Sequence, residues 1–416
     1  MRFLLTCCTF LVLALFVGSA NAGDNWPQFR GPTGNGHSDA VGLPLEWSET
    51  KNIKWKTPIH GRAWSSPVVW GNQIWMTTAP EDGKQRLAVC VDLQTGKIIH
   101  DIKLFDMPEP VEKNSLNSYA SPTPVVEDGR VYLHFGSDGT VCLDSRSGKI
   151  IWKRQDLNCN HMNGPGGSPI VFENLLIFQL DGIDLQYVIA LDKTTGKNAW
   201  TTMRSTDFRD LIKEYRKAYC TPLIIEHEGK TQMIGVGAEA VISYDPSTGR
   251  ELWKARYNGF SNTARPIYAD GVAYICTCFM KRWMLAVRVD GSGDVTDSHV
   301  LWEVKKNMPI KPSPILFEGS IYTVDDKGVA ACTDAKSGKS VWRKRLGGAF
   351  SASPILAQGR IYFFSQNGPA TVIEAGREFK QLAQNKLDDG FMASPAVAGK
   401  SIILRTKQAL YRVEKP

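Results

Sequence analysis

Apolar residues along this chain come in short bursts cut by turn residues. Thr123 to Glu127 is followed by Asp128-Gly129, and Val131 to Phe135 by the pair Asp138-Gly139. Thr140 to Leu143 then runs into Asp144-Ser-Arg-Ser-Gly148, and Lys149 to Lys153 ends the unit. β-Branched and aromatic runs bounded by Asp-Gly pairs predict strands joined by hairpins. Gly supplies the positive φ such turns need, and Asp accepts bonds from the turn's own N–H groups. The unit therefore reads as four antiparallel strands.

The unit recurs. Asp-x-x-Thr/Ser-Gly-Lys/Arg begins at Asp92, Asp144, Asp192, Asp245 and Asp334. Trp152, Trp200, Trp253 and Trp342 follow the Gly by four, and His100 holds that place in the first copy. Two residues before each Asp stands a small side chain: Cys90, Cys142, Ala190, Ser243 or Cys332. A second motif, a hydroxyl residue before Pro, opens each unit at Ser66, Ser121, Ser168, Thr221, Ser313, Ser353 and Ser394, with Arg265-Pro266 in the remaining slot. The eight prolines are 40 to 55 residues apart. A repeat of that length built from four strands predicts an all-β, eight-bladed β-propeller. The last unit, from Ser394, has room for only three strands, and an orphan strand, Asn52 to Thr57, precedes the first. Pairing the two closes the ring and protects its edges. The expected organisation is a signal peptide at 1–22, an N-terminal lead segment at 23–51 and the propeller at 52–416.

The stretch Ala190-Leu-Asp192-Lys-Thr-Thr-Gly196-Lys-Asn-Ala-Trp200 resembles the tryptophan-docking repeat of the PQQ-like, quinoprotein-type propellers. The likeness covers residues 26–413, and Trp26-Pro-Gln-Phe-Arg-Gly31 is similar to the lead of secreted bacterial members. It implies that each outer-strand Trp packs on the small residue and turn of a neighbouring blade. Size and repeat content resemble the BamB-like branch, which implies a non-catalytic cell-envelope protein that binds a protein partner or ligand on its loop face, with no cofactor. The alternative implied is a PQQ- and calcium-dependent dehydrogenase of alcohols or sugars. Against it, the mature chain has no adjacent Cys pair, and no motif here matches the calcium ligands or the Asp base.

Composition supports this picture. Hydrophobic residues make up 43% and charged residues 22% of the 416, and the net charge of +7 is scattered without a basic block. Disorder and nucleic-acid binding are excluded as readings. Met1-Arg2, the apolar run Phe3 to Val17 and Ala20-Asn21-Ala22 predict a cleaved signal peptide, hence a periplasmic or secreted protein. The first mature position would be Gly23, not a lipidated Cys. No later run is long enough to span a membrane. Seven mature-chain cysteines, an odd number, read as small core residues rather than a disulfide framework. Gly235-Val-Gly237-Ala-Glu-Ala240 fits a dinucleotide fingerprint, but a strand follows it where a helix is needed. Asp290 to Asp297 spaces oxygens like a calcium loop yet lacks its Gly and terminal Glu, so it reads as a turn.

No catalytic or metal-ligating set is expected. The candidate partner or ligand face is the mouth of the central channel, where residues just before each Pro slot converge: Arg62 and Trp64, Asn117 and Tyr119, His161 and Asn163, Arg216 and Tyr219, Asn262 and Arg265, and Lys311, with Phe350 and Phe391 beside them. The set is basic and aromatic, which suits an acidic or sugar-like ligand or an acidic partner loop. Two insertions, Asn158 to Gly167 and the charged Met203 to Tyr219, lie on the same face, the second with a short helix expected.

Overall fold

A computed structural model describes residues 25–416 apart from 209, 306 and 307. The expected signal peptide lies outside the described residues. Eight sheets form the ring, each built on four antiparallel strands, and two of them gain a short fifth strand in parallel, His37–Ser38 and Gly293–Asp294. Blades 1 to 7 occupy 68–106, 125–154, 170–203, 223–256, 267–304, 315–345 and 355–385. Blade 8 takes its three inner strands from 396–413 and its outermost strand from Ile53–Pro58. Ile53 pairs with Val413 and Pro58 with Ala409, so the two ends of the chain close the ring by hydrogen bonding. Among the described residues no helix is long and apolar enough to cross a membrane.

Alternation explains the burial. The second and third strands of each blade are buried on both faces, as in Gln73–Thr78 and Val329–Asp334. Outer strands alternate, as in Ile53–Pro58, because only one face meets the next blade. The sequence Gly235 to Ala240 joins two strands, Lys230–Val236 and Ala240–Tyr244, so no phosphate-binding helix forms there.

The seams between blades use one device repeatedly. Trp152 lies on the turn glycine Gly196 of the next blade and donates its indole N–H to Lys193 O (3.0 Å). A methyl group added at Gly196 would stand 2.7 Å from that indole, and its φ is +72°, so both space and backbone demand glycine. Trp200 donates likewise to Pro246 O (3.1 Å), and His100 packs on Gly148. Two docking tryptophans escape the sequence motif. Trp302 sits on Gly338 and donates to Ala335 O, and Trp55 sits on Gly96 and donates to Leu93 O. The small residues play a different part from the one expected. Cys142, Ala190, Ser243 and Cys332 pair directly with Trp152, Trp200, Trp253 and Trp342 of their own blade. A small side chain there leaves room for the indole to lie across the blade and reach the neighbour.

Two seams depart from the device. In blade 4, Trp253 donates to Gln232 of its own blade, and Gln232 donates onward to Val289 O of blade 5. In blade 7 the docking position is Ala383, opposite Val372. The lead segment supplies the missing ring. Trp47 is 3% exposed and stacks on Tyr362 and Phe364, with centroids 6.4 and 6.5 Å away. Asn385 holds it there by accepting from Trp47 N and donating to Leu45 O.

Candidate ligand-binding funnel

Seven of the eight inner strands follow a hydroxyl-Pro pair, and these pairs face the channel. Proline needs no ladder partner at a strand start, and the residue before it turns its hydroxyl to the adjacent blade. Ser66 N donates to Thr123 Oγ1, Thr123 N to Ser168 Oγ, and Ser168 N to Thr221 Oγ1. Arg265 N donates to Ser313 Oγ, Ser313 N to Ser353 Oγ, Ser353 N to Ser394 Oγ, and Ser394 N to Ser66 Oγ. All these bonds are 2.9 to 3.2 Å long. In blade 2 the slot is Thr123-Pro124, not Ser121-Pro122: the inner strand is Val125–Glu127, two residues later than the first Ser-Pro pair suggests.

Arg265 interrupts the ring and anchors what lies beneath it. It donates to Pro222 O (3.0 Å) and to Phe29 O (2.7 Å) of the lead segment. That segment crosses the inside of the ring. Trp26 exchanges both backbone bonds with Val69, Pro27 O accepts from Val126 N, and Gly36 O accepts from Leu356 N. Arg30, 2% exposed, donates to Asn35 O, Ser313 O, Pro314 O and Pro354 O. His37–Ser38 then adds a short parallel strand to the inner strand of blade 7. The lead segment thus touches the inner strands of blades 1, 2, 5, 6 and 7 and seals the channel at the end of the inner hairpin turns. Burial and the nearby Arg265 charge push Arg30 down to about 9, and burial pushes Arg265 down to about 10.

Above this seal opens a funnel of about 430 Å³. Phe29 lies at its base, and Ser66, Thr123, Ser168, Thr221, Ser353 and Ser394 line its wall. Trp64, Tyr219 and Phe279 contribute aromatic rings, and Asn114, Asn117 and Asn163 line it too. Lys311 and Asp326 face it as an ion pair of 2.8 Å, with Asp326 also accepting from Ile310 N.

The residues expected at the mouth divide. Trp64, Asn117, Asn163, Tyr219 and Lys311 line the funnel. Arg62 stacks over Trp64 (5.3 Å) and pairs with Glu81 (2.9 Å). Tyr119 and His161 line a separate cavity of about 440 Å³ beside Cys159 and Asp138. Burial pushes His161 down to about 4, and it accepts from Ser137 N. Arg216 folds back on its own loop, donating to Leu211 O and Phe208 O, and that loop carries a single 3-10 turn at Lys213–Tyr215. Asn262 is fully buried and ties Gly237 O and Tyr257 to Cys278 N. Arg265 is the channel anchor, and Phe350 and Phe391 are core residues. Ser261, Phe279, Arg282 and Asp326 also face the funnel. Neither Asp326 nor Ser261 belongs to a motif that marks the mouth.

A PQQ and calcium pair makes definite demands. Calcium takes six to eight oxygens, with carboxylates among them. The one carboxylate among the described lining residues, Asp326, is already held by Lys311 and Ile310 N, and no cluster of three His, Cys, Asp or Glu forms among the described residues. Below the hydroxyl ring, Phe29 O accepts from Arg265 and the buried Arg30 donates to Pro314 O. The seven described cysteines are free and buried. The residues present do not fit that pair. The calcium-like loop is satisfied by its own neighbours: Asp294 accepts from Thr296 and pairs with Arg256, and Asp290 pairs with Arg288.

Comparison with known proteins follows this geometry. The family described as outer membrane protein assembly factor BamB matches residues 45–202 and 288–382. A quinohemoprotein alcohol dehydrogenase, ADH-IIG of Pseudomonas putida, is 27% identical over 157 residues, which are 34% of this chain and 20% of that protein. The chain therefore spans about a fifth of that relative's length. Among solved structures, BamB from Moraxella catarrhalis superposes with a TM-score of 0.59 at 10% identity, covering 86% of this chain and 99% of that one. Quinohemoprotein alcohol dehydrogenase from Comamonas testosteroni gives 0.67 at 12% identity, covering 94% and 81%. At such identities the structures share the fold.

Proposed function

The chain belongs to the outer membrane protein assembly factor BamB family, and on that premise we propose that it is an exported, non-catalytic propeller that binds a partner or ligand in its funnel. One observation carries this reading. The channel is sealed by the chain's own Phe29 and Arg30, and the funnel above holds hydroxyls, amides and aromatic rings with its lining carboxylate already paired. Such a wall can bind and orient, but among the described lining residues the one carboxylate is paired and no His or Cys stands beside the hydroxyls to activate them. The apolar run before Ala20-Asn21-Ala22 supports export. The dehydrogenase relative keeps the catalytic reading as the one to eliminate. Purified mature protein is incubated with PQQ and Ca²⁺ and then desalted. The expected result is no retained quinone absorbance and no dye-linked oxidation of alcohols or sugars. Stoichiometric retention with turnover overturns the reading.

A further inference from the structure

Hydrogen-bond accounting in the funnel leaves donors over. Every ring hydroxyl in the wall accepts an N–H from the adjacent blade. A hydroxyl that accepts still has a proton to donate. Among the described residues, none of Ser66, Thr123, Ser168, Thr221, Ser353 and Ser394 donates that proton to another protein group. The wall of the funnel is therefore an interrupted ring of O–H donors that calls for acceptor atoms.

Ser261 adds a second, independent signal. It lines the funnel, is 3% exposed, and its Oγ has no hydrogen-bond partner among the described residues. Its φ is 55°, in the left-handed region that favours glycine. Buried polar groups are otherwise almost always satisfied, and unfavourable backbone geometry gathers at binding sites. The aromatic side is fixed in advance. The Trp64 indole N–H is held by Leu116 O and the Tyr219 hydroxyl by His161 O, so the rings cannot swing away. Beneath the ring, Arg30 and Arg265 bond to carbonyl oxygens and have no carboxylate partner among the described residues.

Rotatable donors around a small cavity, with rigid rings beside them, match a molecule that has many oxygens and an apolar C–H face. We propose that the funnel binds a saccharide unit, and an acidic one in preference to its neutral counterpart. The sugar's hydroxyl and ring oxygens accept from the wall hydroxyls, its C–H face lies against Trp64 or Tyr219, and its carboxylate lies in the field of the two uncompensated arginines. This inference rests on the funnel being the binding face.

The test titrates the full mature chain with trigalacturonate and with galactotriose, by calorimetry and saturation-transfer NMR. Trigalacturonate is expected to bind more tightly, and its advantage is expected to shrink as salt rises. Ser261→Gly is the decisive variant. Glycine suits the positive φ, so the melting temperature should hold or rise, while loss of the hydroxyl weakens binding by about tenfold. Unchanged affinity in Ser261→Gly overturns the assignment, and equal affinity for the two saccharides overturns the acidic preference. A third arm presents wild type and Trp64→Ala to envelope extract. If both saccharides are silent but a protein captured by wild type is lost with Trp64→Ala, the saccharide inference falls and the binding-face reading stands. If nothing responds in any arm, both fall.

Discussion

The two ends of the channel are built on opposite principles. At the sealed end, Arg30 donates to four carbonyls, and Trp26, Pro27 and Gly36 bond to three inner strands, while Trp26 Nε1, Arg30 Nε and His37 Nε2 stay without a partner among the described residues. At the funnel end, six wall hydroxyls keep their protons and Ser261 keeps its whole hydroxyl unbonded. A buried polar group left unbonded costs about 1–3 kcal/mol. Both ends carry that cost; the difference is that the sealed end ties the lead backbone and the Arg30 guanidinium into the inner strands, whereas the funnel end presents its spare hydroxyl protons to an open cavity.

Deleting residues 25–57 breaks this contrast most severely. It removes the seal, Trp47 and the outer strand of blade 8 together. The expected outcome is an exposed blade edge and aggregation, read by thermal melting and light scattering. An unchanged melt contradicts the closure described above. Next in size is Trp47→Ala, which empties the seam where the docking Trp is missing and should cost about 3–5 kcal/mol in denaturant unfolding. Arg30→Met leaves buried carbonyls without donors and should cost about 2–4 kcal/mol. Trp64→Ala at the funnel rim should cost about 1 kcal/mol or less. Equal costs at Trp47 and Trp64 would erase the distinction between the ends.

A separate effect is a pH dependence beside the funnel. Burial holds His161 down at about 4, below the ordinary 6.5, so the unfolded chain takes up a proton before the folded one does. Stability contributed by the neutral ring is complete above about 6.5 and is lost as the pH falls toward 4. Melting temperature should drop across that window, and His161→Gln should reduce the slope, the remainder being carried by His134, which burial also holds below 6.5.

The ring itself was legible because its turns are spelled out. Each Asp-x-x-Thr-Gly-Lys copy satisfies its own N–H groups locally, as Asp192 does for Thr194 and Thr195, so the signal needs no tertiary context. Trp302 and Trp55 stayed hidden because the spacing that revealed the others is disrupted. In blade 5 an insertion with a short helical turn, Thr296–His299, separates the strands, and in blade 8 the chain is split between its two ends. The funnel was legible only in part. Trp64, Tyr219 and Lys311 follow from their place before the Pro slots. Arg216 and Asn262 satisfy the same rule yet turn to local partners, because a loop side chain bonds to whatever carbonyl lies nearest. The seal could not be read from sequence, since Trp26 to Gly36 has no periodicity and acquires its place only inside the ring.

The sealed channel is the central claim, and native-state hydrogen exchange tests it most directly. Val69, Val126 and Leu356 donate their amides to Trp26 O, Pro27 O and Gly36 O. If the lead segment is a fixed part of the channel, these three amides exchange as slowly as the innermost blade hydrogen bonds, through global unfolding. Fast exchange at all three, with the blade amides still protected, would mean that the channel is open and the account is wrong.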